Sequence, residues 1–223
     1  ETIFQHPRFD IVAEDVVYSS TFDSVIGVKF FGDVLETHYF GDHPEIAIHK
    51  SLDAAFPGQL VKITSFTESG DRAVLSVSGS KNPSEYLMMD VQSSQLTRIG
   101  SANSELNLEA MGDVQSFVIN AGEELQIHGV VTFPMIDRSN QPMVVIPHGG
   151  PIGVRDSIAF NREAQFFAHH GYVVMQVNFR GSGGYGYDFQ RKGYEQWGSG
   201  MIDDISLAVT WAIQNGLADR DSI

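Results

Sequence analysis

The chain is expected to fold as a β-rich first half followed by a mixed, mostly parallel α/β half. Three observations carry that expectation. Up to Gly112 the apolar residues alternate in short runs separated by turn residues, which is the grammar of antiparallel strands. After Gly112 two short apolar runs, Pro142 to Pro147 and Tyr172 to Asn178, read as strands covered on both faces. Helical periodicity from Phe160 to His169 and from Met201 to Asn215 then alternates with those strands, as in sheets flanked by helices.

In the first half, Val25 to Phe31 and Val34 to Phe40 form a hairpin around Gly32-Asp33, a strong turn pair. Pro44 to Phe56 reads as a helix with Ile48, Leu52 and Ala55/Phe56 on one face, ended by Pro57-Gly58. Leu60 to Phe66, Arg72 to Ser78, Glu85 to Val91 and Leu96 to Ile99 are four strands. Turn residues Glu68 to Asp71 and Ser80 to Ser84 divide the first three. Four antiparallel strands in roughly 40 residues fit one β-propeller blade and fit a plain meander equally well. His38, His43 and His49 match no ligand spacing and read as surface histidines.

In the second half, Val114 to Ile119 and Leu125 to Phe133 form a hairpin through Asn120-Ala121-Gly122-Glu123. The helix from Phe160 has Ala164, Phe167 and Ala168 near one face and stops at Gly171. The last helix presents Ile202, Ile205, Ala208/Val209 and Ala212/Ile213, with Asp203 and Asp204 in its first turn complementing the helix dipole. His128 lies in a strand and His169 and His170 at a helix end, which are structural placements.

Composition narrows the function. Among 223 residues, 28 Asp+Glu against 14 Lys+Arg leave a net charge of −14. Nucleic acid and anionic membrane are unsuited partners for that charge. No apolar run is long enough to span a bilayer. With no cysteine, disulfides, thiol nucleophiles and Cys-based metal sites are excluded, and nothing calls for an organic cofactor or a metal. Cytoplasm and bacterial periplasm are both compatible with that composition.

Two segments carry chemistry. Pro147-His148-Gly149-Gly150-Pro151 follows a buried strand, where side-chain-free backbone can turn sharply and aim N–H groups at a developing oxyanion. Asn178-Phe179-Arg180-Gly181-Ser182-Gly183-Gly184-Tyr185-Gly186 follows the next one. It has neither the Gly-Lys-Ser/Thr ending of a phosphate loop nor a GxGxxG spacing, so a nucleotide role is weak.

These segments, followed in order by Phe189, Gly193, Trp197-Gly198, Met201 and Asp203-Asp204, resemble the prolyl oligopeptidase family of serine peptidases, in its acylaminoacyl-peptidase and dipeptidyl-peptidase branch. The resemblance covers Gly112 to Ile223 and, more loosely, Val25 to Gly100. It implies the C-terminal part of a β-propeller with a short helix over residues 1–112, and the N-terminal half of an α/β-hydrolase domain over 113–223. It implies peptide substrates, with Gly150 N–H as an oxyanion donor on a loop shaped by His148 and Gly149. Asn178, Arg180, Gly181 and Tyr185 become scaffold residues beside the nucleophile turn.

The nucleophile itself is missing, because no serine has glycine at both second-neighbour positions. The Ser-His-Asp triad is therefore expected beyond residue 223, and these residues alone are expected to be inactive. In the family the nucleophile strand pairs beside Met143 to Pro147. That strand edge is then expected to be open, and to associate with another copy or with the missing half. A non-catalytic propeller and hydrolase-like binding protein, and an esterase on the same core, are the alternatives.

Overall fold

The computed structural model describes residues 2–122, 125–136 and 139–223, and the chain divides into two compact units. One unit comprises residues 12–31 and 35–108. The other comprises 1–11, 32–34 and 109–223.

The first of these holds two antiparallel sheets and a helix. Strands β1 (Val16–Tyr18), β2 (Val25–Phe31) and β3 (Leu35–Tyr39) pair in that order. Helix α1 (Glu45–Ala55) leads into a meander of β4 (Leu60–Phe66), β5 (Arg72–Ser78), β6 (Glu85–Asp90) and β7 (Leu96–Ser101). Alternation explains the packing. Ala73, Leu75 and Val77 share one face of β5 and are buried with Val61, Leu87, Met89 and Leu52 of α1. Gly70 supplies the positive φ of the β4–β5 turn, where the Thr67 hydroxyl donates to Asp71 Oδ1 at 2.6 Å.

Helix α1 packs Ile48, Leu52 and Phe56 of its expected face on the core, and buries Ile46 and His49 beside them. Ile46, His49 and Leu52 are buried, whereas Ala55 is exposed. His49 is therefore a core residue, 4% exposed, and not a surface histidine. Three-residue spacing places it between Ile46 and Leu52 on the packed stripe, where its ring lies 6.0 Å from that of Tyr39. Lys29 is buried beside it, donating from Nζ to Asp53 Oδ1 at 2.5 Å and to the Val61 carbonyl at 3.0 Å. Burial lowers the pKa of that ammonium from the ordinary lysine value.

In the second unit β8 (Val114–Asn120) and β9 (Gln126–Thr132) form an antiparallel hairpin. Glu123 of the expected turn lies outside the described residues. Then follow β10 (Met143–Val145), α2 (Arg162–His169), β11 (Val173–Asn178), α3 (Tyr187–Arg191) and α4 (Gly200–Gln214). The sheet order is β10-β11-β9-β8. Only the β10–β11 ladder is parallel, while β11–β9 and β9–β8 are antiparallel. The sheet of the described residues is thus mixed and not mostly parallel. A strand-helix-strand alternation fixes one parallel pair, β10 and β11. It is silent on β9, which sits on the other side of β11 and runs against it.

Period-two alternation divides β11 between two environments. Val173, Met175 and Val177 face a core shared with Met201, Ala208 and Ala212 of α4. Val174 packs on Ala164 and Ala168 of α2, and Gln176 and Asn178 share its parity. In α4 Met201, Asp204, Ala208 and Ala212 are buried, Ile205, Val209 and Ile213 of the expected face pack against the same core, and Ile202 of that face is instead 53% exposed. Among the described residues no helix is long and apolar enough to cross a membrane.

Candidate active site

The site is built where β10 and β11 end, since both strands release glycine-rich loops on the same side of the sheet. The loop after β11 packs without side chains. A Cβ on Gly183 would meet the Gly153 carbonyl oxygen at 2.4 Å, and one on Gly181 would meet Ile152 Cδ1 at 2.8 Å. Gly181 also has φ +98°, where other residues are strained. This close approach lets backbone groups join the two loops. Gly153 N donates to the Gly181 carbonyl at 2.9 Å, and Gly183 N to the Val154 carbonyl at 3.0 Å.

Asn178 reaches into the same loop. Its Oδ1 accepts from Asp156 N at 2.8 Å, and its Nδ2 donates to the Asp156 carbonyl at 2.9 Å and to the Tyr185 hydroxyl at 2.7 Å. Tyr185 in turn donates to Asp33 Oδ1 at 2.6 Å. The other oxygen of that carboxylate bonds His128 Nδ1 at 2.8 Å, and the His128 ring stacks on Tyr185 with centroids 4.1 Å apart. Burial and the Asp33 charge push the Tyr185 phenol well above the ordinary tyrosine range. Gln176 donates to Asp156 Oδ1 at 2.6 Å, while Asp156 Oδ2 is buried without a partner among the described residues. Burial raises the pKa of the Asp156 carboxyl, partly offset by His148 and Gln176.

Arg180 turns the other way. Its Nε and Nη2 grip Asp204 Oδ2 and Oδ1 at 2.8 and 2.7 Å, and its backbone N also donates to Oδ2 at 2.8 Å. The loop thereby joins the first turn of α4.

The loop after β10 presents Gly149 and Gly150 to solvent. Gly150 has φ +123°, and no described residue accepts from its N–H. His148 does not face outward with them. Its ring stacks on Phe179 at 4.5 Å, with Nε2 2.8 Å from Ser182 Oγ and Nδ1 2.9 Å from the Gly149 carbonyl. Ser182 and His148 look like a nucleophile and base at first sight. Ser182 is fully buried, however, and its hydroxyl also donates to the Phe179 carbonyl at 2.7 Å. No carbonyl carbon can reach it, so it is a structural serine.

Asp33, Asp156 and the Ser182 contact have no signature in the motifs. Asp204 stands in the motif order, and its burial follows from its place three residues after Met201 and four before Ala208.

Loops at the carboxyl ends of sheet strands are where open α/β enzymes hold their ligands. The model of the prolyl oligopeptidase family matches residues 158–223 of this chain. The chain is similar to dipeptidyl aminopeptidase BIII of Pseudoxanthomonas mexicana, 30% identical over 182 residues, which are 78% of this chain and 26% of that enzyme. A puromycin hydrolase crystal structure superposes with a TM-score of 0.57 at 25% identity, over 71% of this chain and 25% of that one. The acylaminoacyl peptidase of Pyrococcus horikoshii superposes at 0.55 with 21% identity over 87% of this chain and 30% of that one, a likeness of fold. The chain spans about a quarter of the length of the first of these relatives.

Proposed function

We propose that these residues belong to a serine peptidase that hydrolyses short peptides or acyl-peptides through a Ser-His-Asp triad located beyond residue 223. In this reading residues 1–112 are the C-terminal part of a β-propeller and 113–223 the N-terminal half of an α/β-hydrolase domain. The observation that carries it is the exposed, unbonded Gly150 N–H on a loop held from behind by Asn178, Gly181 and Ser182. A rigid backbone donor open to solvent suits a charge that develops during acyl transfer, and such a donor contributes a few kcal/mol to lowering the barrier. The lack of a Gly-x-Ser-x-Gly turn and the burial of Ser182 support placing the nucleophile in further sequence.

The test is intact mass after incubation with a fluorophosphonate probe. The 24.6 kDa chain is expected to take no adduct. A longer protein containing it is expected to take one. An adduct on the short chain would overturn the placement of the nucleophile. An unlabelled, folded longer protein would favour a non-catalytic binding protein.

A further inference from the structure

We infer that the cavity bordered by β1 and β4 is a binding site for an extended, uncharged peptide segment with an aromatic side chain. The inference goes beyond the peptidase reading and does not rest on it. The cavity lies within the unit of residues 12–31 and 35–108 and measures about 600 Å³, a size that holds a small ligand. Val16, Val17 and Tyr18 of β1 border it, as does the run from Val61 to Phe66 of β4. The face of a strand would contribute every second residue. Consecutive residues mean that both strands turn their edges to the cavity. Among the described residues β1 pairs only with β2, and β4 only with β5. Such edges offer main-chain N–H and C=O groups to an added strand.

The base of the cavity asks for a hydrogen-bonding ligand. His49 borders it and is 4% exposed, yet its ring makes no hydrogen bond to any described residue. Nδ1 is closed off, so Nε2 is the nitrogen left to serve a molecule in the cavity. A buried polar group without a partner is costly, and a ligand that bonds it recovers that cost. Lys29, 2% exposed, borders the same cavity. An ammonium has three hydrogens to donate. Asp53 and the Val61 carbonyl take two of them and leave one. A peptide unit supplies an acceptor for that hydrogen, and it can bond His49 Nε2 in either tautomer.

Charge selects against ions of both signs. An entering anion would meet Glu14, Asp15 and Glu68, against Lys62 alone. A cation would meet the Lys29 ammonium. An amide meets neither penalty. The aromatic preference comes from Tyr18 and Phe22, 46% and 79% exposed, with ring centroids 6.1 Å apart. Phe22 has φ +58°, which is strained for a bulky side chain. Its turn enforces that conformation. The buried Ser19 hydroxyl donates to Asp23 Oδ1 at 2.9 Å, and Phe22 N donates to the Ser19 carbonyl at 2.9 Å. An aromatic ring is thus held in solvent beside the cavity, where a ligand's ring would pack against it.

The experiment uses the full-length protein containing these residues, treated with fluorophosphonate so that turnover does not consume the probe. The probe is acetyl-Ala-(para-fluoro-Phe)-Ala-amide, followed by fluorine NMR. Wild-type protein is expected to broaden its resonance. The free-acid peptide, and the peptide methylated at every backbone nitrogen, are each expected to bind roughly tenfold more weakly. His49→Leu and Phe22→Gly are each expected to weaken binding by a similar factor. Glycine adopts the Phe22 backbone conformation without strain, so this variant decides the matter should His49→Leu fail to fold. No broadening by folded wild-type protein overturns the inference. So does equal binding by Phe22→Gly and wild type, equal binding of the methylated peptide, or a preference for the free acid. A protein that takes no fluorophosphonate label yet binds the probe as described refutes the peptidase reading and leaves this site standing.

Discussion

Arg180 and Asp204 illustrate how burial sets the value of an ion pair. Asp204 is 2% exposed and receives a two-pronged guanidinium plus a backbone amide. Removing Arg180 would leave that carboxylate buried with one neutral donor. We expect Arg180→Ala to cost about 3–5 kcal/mol in urea denaturation. Arg180→Lys should recover only part of it, since an ammonium cannot reproduce the planar fork. Arg98 and Glu85 make a comparable contact at 2.9 Å on the β6–β7 surface, with side chains 56% and 31% exposed. Arg98→Ala is expected to cost less than about 1 kcal/mol. Equal losses for the two arginines would overturn the argument. At this scale the motifs marked the loops but not what holds them. His-Gly-Gly-Pro and Asn-Phe-Arg-Gly can be read because glycine runs after apolar strands are unusual. Asp33 reads as a turn residue and Asp156 as an ordinary loop residue. Nothing local shows that each folds beneath the same tyrosine-asparagine chain.

Helix α1 shows the same limit one scale up. Its existence and ends are legible from Pro44, the apolar spacing and Pro57-Gly58, and it runs Glu45–Ala55. Its rotation is legible only in part: Ile48, Leu52 and Phe56 do pack on the core, but the deepest stripe beside them includes a histidine, which apolar spacing passes over. Burial, with the nearby Lys29 charge adding to it, drives the pKa of His49 down from 6.5 to about 4. In the unfolded chain the same imidazole titrates near its ordinary value. The folded form resists a proton that the unfolded form accepts, so His49 makes stability fall as pH drops from about 6.5 towards 4. Above that window it contributes no pH dependence. Between pH 7 and pH 5 the loss should be on the order of 2 kcal/mol. His49→Leu also removes an Nδ1 that is buried without a partner among the described residues. Denaturation of both proteins at the two pH values should show a shallower decline for the variant. Parallel declines would mean that His49 is not the titrating group. In α4, likewise, Asp204 lies inside and Ile202 outside, which apolar counting alone reverses.

For the molecule as a whole, which segments form strands and which form helices was legible, whereas the order of strands in the second sheet was not. Sequence alternation reports which segments are strands and is blind to which edge each one occupies. That order puts β10 at the edge, with consequences for solution behaviour. The segment after α4 begins to cover it. Asp219 N donates to the Gln141 carbonyl and Met143 N to the Ser222 carbonyl, each at 2.9 Å, and Gln141 bridges Ala218 in parallel. Two residues beyond Met143, the Val145 amide faces the same side, and no described residue accepts from it. Half of this short apolar edge is therefore open to strand addition by a second chain. Mutual repulsion between copies of net charge −14 opposes such pairing, but it is long-ranged and screened by salt. Strand hydrogen bonds and apolar contacts are short-ranged and are not. Association of the 24.6 kDa chain should thus increase with concentration and increase further with added salt. Val145→Pro, which deletes the outward-facing N–H at an edge position that tolerates proline, should weaken it. Light scattering coupled to size exclusion reads both effects. A monomer at all concentrations and salt levels would mean that the partial cover from residues 218–222 already closes the edge.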